Sequence, residues 1–429
     1  MKFKKPLLGT VLAFQAFLAG NTAWGATFNV NTSQELRDAL AQAAGNRQDD
    51  LILIGEGTFL AGGTPFSYNA DNILNDSEDF DLTLQGAGVE NSILDAEGLG
   101  PVLTIASSFK FDDNDTTIRV SGLTFQNGDA ADTGSGGGLT VSANEADIVV
   151  EQAQFLNCDA GLSFGGGAQL YTAQGEIRLD RSFFSGNAGE GGAGASLLSA
   201  LGKIVVASNI FASNASKNHG GGLFVGQEDD SGLEINVVNN TFFGNSAVEN
   251  GGGLYLTASD DQVSNVYNNL FSENVAGAGR DLYYFESNAT GPAFTLGLYH
   301  NVLADIADNC QNGALCQPRI MQAANMASGP FLLDPANGNF ALSDDSPAID
   351  AGSASAPDLP AFDFAGNARS RGSAPDIGAL ESEPELPAAE VPSNGGGCSL
   401  GMGKSWGEGV TLGGPFIAGL YTVLRRRKK

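Results

Sequence analysis

Lys203–Leu256 reads KIVVASNIFASNASKNHGGGLFVGQEDDSGLEINVVNNTFFGNSAVENGGGLYL, one unit written twice. Each copy runs from a β-branched segment (KIVVASNIF, EINVVNNTFF) through an Asn to a glycine triplet and a short apolar stretch. Alternating or β-branched segments bounded by Gly and Asn carry the period-2 signature of strands. Nothing between them has the length or period of an amphipathic helix.

Outward from this stretch the unit recurs. Glycine triplets begin at Gly136, Gly165, Gly220 and Gly251, with weaker copies at Gly191 (GGAG) and Gly277 (GAG). The starts are 29, 26, 29, 31 and 26 residues apart. A Phe followed by an Asn precedes each one, at Asn127, Asn157, Asn187, Asn214, Asn245 and Asn274. A repeat of roughly 30 residues holds about three short strands and cannot bury its own apolar face, so neighbours must stack. The fold class is therefore all-β, a right-handed parallel β-helix or solenoid. Phe125, Phe155, Phe184, Phe211, Phe243 and Phe271 are expected to form an internal aromatic ladder. The Asn column suits a bend, because Asn tolerates the left-handed region, and stacked amides can bond between rungs. Ser33–Ala44 (SQELRDALAQAA) reads as a capped amphipathic helix covering the open N-terminal end.

The two ends read differently. MKFKK, an apolar run and small residues at Ala23 and Gly25 form a secretory signal peptide. At the far end an acidic, Pro-containing linker leads to GGGCSLGMG around Cys398, a short Gly-rich apolar stretch and RRRKK. The predicted organisation is a signal peptide at 1–25, an N-terminal cap and first rungs at 26–117, and Gly/Asn-rich repeats at 118–306. A β-helix end piece follows at 307–381, a linker at 382–397, and a sorting or anchor segment at 398–429 that holds the chain to a membrane. The expected location is the cell surface, the outer membrane or the exterior. Setting aside the three Lys at the start and the five basic residues at the end leaves 13 basic against 49 acidic residues, about −36. A body that acidic is repelled by phosphate backbones, which excludes nucleic acid as a partner. Cys310 and Cys316 bracket a short loop in an exported chain and are a disulfide candidate, with a free pair as the alternative. Cys158 reads as a small core residue.

The FxxN and GGG-L repeats resemble those of the chlamydial polymorphic outer-membrane proteins and their bacterial relatives. Phe340–Glu381, FALSDDSPAIDAG … FDFAGNARSRGSAPDIGALE, resembles the end piece of β-helix proteins of the choice-of-anchor Q type. The tail resembles bacterial GlyGly-like sorting signals, and that resemblance implies a sorting protease acting near Cys398. Together these imply a surface β-helix but no single activity. The autotransporter barrel of the chlamydial relatives is missing from this sequence, so barrel-mediated export is not carried over.

Enzymes on parallel β-helices use converging carboxylates, usually with His and a basic residue. The only histidines are His219, before a glycine turn, and His300, after Tyr299. Both read as structural, and no such series is visible. Asp344, Asp345, Asp350 and Asp376 read as turn residues that bond backbone, with Arg369 and Arg371 pairing some of them. The reading is a non-catalytic surface protein, adhesin-like or glycan-contacting, whose partners are polysaccharide or a host or neighbouring cell surface. A carbohydrate-active enzyme with an unrecognised site and a passive surface-layer protein are the alternatives. After each glycine triplet the strand alternates, so Phe224 and Tyr255 point outward on adjacent rungs as an exposed glycan-contact pair. Asp229 and Asp230, with Asp260 and Asp261 one rung on, form a calcium candidate. Asp112, Asp113 and Asp115 form a weaker one.

Overall fold

The computed structural model describes residues 25–70, 80–107, 116–130, 134–227, 234–258, 262–286, 295–308, 320–327 and 332–382. The chain is a parallel β-solenoid whose three sheets hold 11, 9 and 8 strands. One turn shows the pattern. Asp147–Glu151, Gln154–Leu156 and Ala168–Thr172 pair in parallel with Ile177–Asp180, Phe183–Ser185 and Ala195–Ser199 of the next turn. Alternation sends Ile148 and Val150 into the core and Val149 and Glu151 outward. At the N-terminus α1 (Ser33–Ala43) is closed by a capping box: Thr32 Oγ1 accepts from Glu35 N–H at 3.2 Å, and Glu35 accepts from Thr32 N–H at 3.1 Å. Its Leu36 and Leu40 join the core of the first strands beside Ile52 and Phe66.

The aromatic ladder exists, with one substitution. Phe125, Phe155, Phe184, Phe211, Phe242 and Phe271 stack at centroid spacings of 5.0, 4.6, 4.8, 5.0 and 4.6 Å. Phe242 therefore holds the place expected of Phe243. The reason is that the Phe-to-Asn spacing has two forms. Asn127 (φ 55°) and Asn157 (φ 53°) sit in the left-handed bend two residues after Phe. In later repeats Gly186, Ser213, Gly244 and Glu273 take that bend, and the Asn comes one residue later. There Asn187, Asn214, Asn245 and Asn274 form a buried amide ladder, Nδ2 to Oδ1 at 2.9, 2.9 and 3.1 Å. Cys158 occupies the rung before Asn187, and burial pushes its thiol up to about 12. A second ladder, unforeseen, links Asn209, Asn240, Asn269, Asn301 and Asn325 at 3.0, 3.0, 3.1 and 3.2 Å.

The end piece folds back along the outside of the rod. Phe340 packs at 6.1 Å from Phe183 and 5.9 Å from Phe243, the outward rings of the eight-stranded sheet. Ile377 and Ala348 cover Leu270 and Val302. Arg369 clamps this layer, but its ionic partner is Glu381 at 2.9 Å rather than one of the aspartates named above. The same nitrogen, Nη1, also donates to the carbonyl of Gly378, and Nη2 donates to Ser208 Oγ at 2.6 Å and to the carbonyl of Ala379. Burial pushes the Glu381 carboxyl up to about 7, against the pull of Arg369. Asp376 accepts from the backbone N–H of Asp350 at 2.7 Å and of Ser382 at 2.6 Å, a turn role as expected. His300 takes a left-handed corner (φ 54°), with Nδ1 2.9 Å from Ala351 O.

Candidate functional site

Phe224 and Tyr255 do face each other on adjacent rungs, with centroids 5.1 Å apart and rings nearly parallel. The stack continues to Tyr283 at 5.3 Å. The expectation of open faces is nevertheless corrected. Phe164 lies edge-on to Phe224 at 5.3 Å, His219 stacks on Tyr255 at 4.7 Å, and Tyr255 is only 6 % exposed. Between the amide ladder and the glycine triplets the chain adds a small outer sheet, Ala188–Gly191, Ala215–His219 and Ser246–Ala247, and His219 reaches the ring from it. Burial, with the Tyr283 and Glu249 charges, pushes the Tyr255 phenol up to about 12. His219 is half-buried, with Nε2 3.6 Å from Glu249 and Nδ1 3.3 Å from the Asn250 amide.

The calcium candidates Asp229, Asp230, Asp260, Asp261, Asp112, Asp113 and Asp115 lie outside the described residues. So do Cys310, Cys316, Cys398, the sorting tail and the signal peptide up to residue 24. Among the described residues no group of three or more His, Cys, Asp or Glu is placed to hold a metal ion, and no helix is long and apolar enough to cross a membrane.

A further group of charged side chains lies on the outer face of the 11-stranded sheet. At its N-terminal part Glu151 is held by Arg119 at 2.6 Å and Arg181 at 3.0 Å. Asp180, beside Glu151 on the next rung, meets Arg181 Nε at 3.3 Å. Burial raises the Asp180 carboxyl, and its Oδ1 is shut off from solvent with no hydrogen-bond partner. Adjacent carboxylates with separated proton affinities are the raw material of acid–base catalysis. Here Glu151 is paired with two guanidiniums, while Asp180 has one oxygen paired with Arg181 and the other shut off from solvent.

Toward the C-terminal end the face becomes uncharged and aromatic. Tyr267 and Tyr299 are register partners in Val263–Tyr267 and Thr295–Tyr299, both half-buried, with centroids 4.9 Å apart and planes 35° apart. Gly297 lies beneath: a β-carbon there would meet Tyr299 Cε2 at 3.0 Å and Asn265 Oδ1 at 3.3 Å. Glycine thus lets the Tyr299 ring lean across the sheet. The Asn265 amide donates to Asn236 Oδ1 at 2.8 Å, and its own Oδ1 accepts from no described residue. The result is a shelf of two rings beside a free amide acceptor. Such a surface can stack an apolar sugar face and hydrogen-bond a hydroxyl. The sequence signal was present: in SNVYNN and TLGLYH a Tyr ends an alternating strand just before the corner residue.

No family model and no curated protein matches this sequence. Among solved structures, a crystal structure of pectate lyase Pel9A is similar in architecture. It shares 14 % identity over 80 % of this chain and 90 % of that one, with a TM-score of 0.35.

Proposed function

We propose that this chain is an exported, non-catalytic cell-surface protein of the adhesin-like, glycan-contacting kind, and that Tyr267, Tyr299 and Asn265 make the contact. The observation that supports this reading is the Tyr299 ring leaning over Gly297, backed by Tyr267, with the unused Asn265 acceptor beside it. Export and retention rest on the signal peptide and on the sorting tail around Cys398. The test is a glycan array probed with the secreted chain, followed by Tyr267→Ala plus Tyr299→Ala on any sugar bound. Two rings worth about 1 kcal/mol each predict binding weaker by roughly 10–30-fold. Unchanged binding by the double variant refutes the site.

A further inference from the structure

The outer face of the 11-stranded sheet is not open from end to end. Val205 and Ala207 in Ile204–Ala207, and Asn236 and Val238 in Glu234–Val238, all point outward, yet each is fully buried. The end piece lies over them as a strap. It enters at Ser353, whose N–H donates to Asn268 Oδ1 at 2.7 Å. It crosses the face to Asp358, which meets Lys203 Nζ at 2.6 Å and accepts from the Asn236 amide. It returns at Phe362, whose carbonyl accepts from Ser208 Oγ at 3.1 Å. Lys203 and Ser208 stand at opposite ends of one strand, so the whole width of the sheet is crossed. Burial pushes the Asp358 carboxyl up, but the hydrogen bonds from Lys203 and Asn236 outweigh it and hold the group below its usual range. Asp358 therefore stays ionised, and the contact stays an ion pair.

The tyrosine shelf begins immediately beyond this wall. Asn265 bonds Asn236, which is under the strap, while Tyr267 and Tyr299, each next to a corner residue that the end piece holds (Asn268 and His300), are half-buried rather than fully covered. In the other direction one more strand of the described residues follows, Ile320–Ala323, whose Ala323 pairs with Tyr299. From the Tyr267 rung to the Ala323 rung is two rung spacings, roughly 10 Å. Among the described residues that pair with this shelf none is charged. We infer that the shelf takes a short uncharged glycan or a chain end, about two to three sugars long at rung spacing, and that a polysaccharide cannot lie lengthwise along the rod through it. The inference rests on the reading of Tyr267 and Tyr299 as a sugar platform.

Two measurements on the full secreted chain test it. Hydroxyl-radical footprinting needs no ligand. Val205 and Val238 should be oxidised at least tenfold more slowly than Val248 and Val275, which are 71 % and 58 % exposed. Equal rates mean that the strap is no wall, and the inference falls. Binding is then measured against neutral β-1,4-linked gluco-, manno- and chito-oligosaccharides of increasing length. Affinity should rise to the trisaccharide and then stay flat within twofold in the wild type. A further threefold gain with each sugar up to the hexasaccharide overturns the length limit while leaving the platform intact. Failure of every sugar to bind defeats the platform reading, and the inference with it.

Discussion

Asn240 sits in the middle of the second amide ladder, and its removal gives a quantitative test of how these ladders hold the solenoid. Its Oδ1 accepts from the Asn209 backbone N–H at 2.9 Å and the Asn209 side-chain amide at 3.0 Å. Its Nδ2 donates to Val206 O at 2.8 Å, Val238 O at 3.2 Å and Asn269 Oδ1 at 3.0 Å. All of these groups are buried, so no water replaces the lost partner. Asn240→Ala strips the Asn209 N–H and amide of their acceptor and the Val206 carbonyl of a donor. Each orphaned buried group costs about 1–3 kcal/mol, and partial relaxation brings the sum to roughly 3–5 kcal/mol. Over roughly 300 ordered residues, with an unfolding entropy near 2.1 cal/mol/K per residue, that lowers the melting temperature by about 5–8 °C. Asn325→Ala, at the half-exposed last rung where solvent can substitute, should cost about 1 kcal/mol. The assay is urea unfolding followed by far-UV circular dichroism, with thermal melts in parallel. If the two variants lose the same small amount, the ladder amides contribute no more than ordinary surface polar groups, and the reasoning fails.

Four further outcomes are expected. Phe242→Ala should destabilise by about 3–5 kcal/mol, and Phe243→Ala by less, because Phe243 lies outside the ladder in the smaller cluster under Phe340; the reverse order would restore the ladder register expected from sequence. Glu381 has a raised carboxyl pKa, so its stabilising contribution is complete below the usual carboxylate range and is lost as pH rises through about 7. The stability of the wild type relative to Glu381→Gln should therefore fall between pH 5 and 8 (roughly the window that linkage sets), and a rise would contradict the burial assigned to it. Ultraviolet titration of the tyrosines should leave Tyr255 protonated until about pH 12, and Tyr255→Phe should remove that late step from the absorbance curve. Cys158, buried with its thiol pushed up to about 12, should resist alkylation in the native protein and react on unfolding; native labelling mapped to that residue by mass spectrometry would show an open rung.

The sequence by itself determined the solenoid. Period-2 alternation decides which side chains enter the core, and a repeat of fixed length decides that turns stack, so the parallel β-helix, the capped helix from Ser33 and five of the six ladder phenylalanines followed from neighbours in the chain. The sixth was misplaced because FFGN offers two Phe at the same motif, and only the bend at Gly244 (φ 60°) shows which one turns inward. Alternation likewise placed Phe224 and Tyr255 on the outside, as the structure has them. Being outside a sheet is not being in solvent, however. Whether an outward residue is covered depends on contacts with distant segments: His219 over Tyr255, Phe340 over Phe243, and Asp358 across to Lys203 and Asn236, 122 residues from the latter. No local pattern encodes such a meeting, because it is fixed by how far the end piece folds back and which corners offer it hydrogen bonds. The same tertiary decision closed over Tyr255 but left Tyr267 and Tyr299 half-buried, a difference that alternation along the strand does not carry.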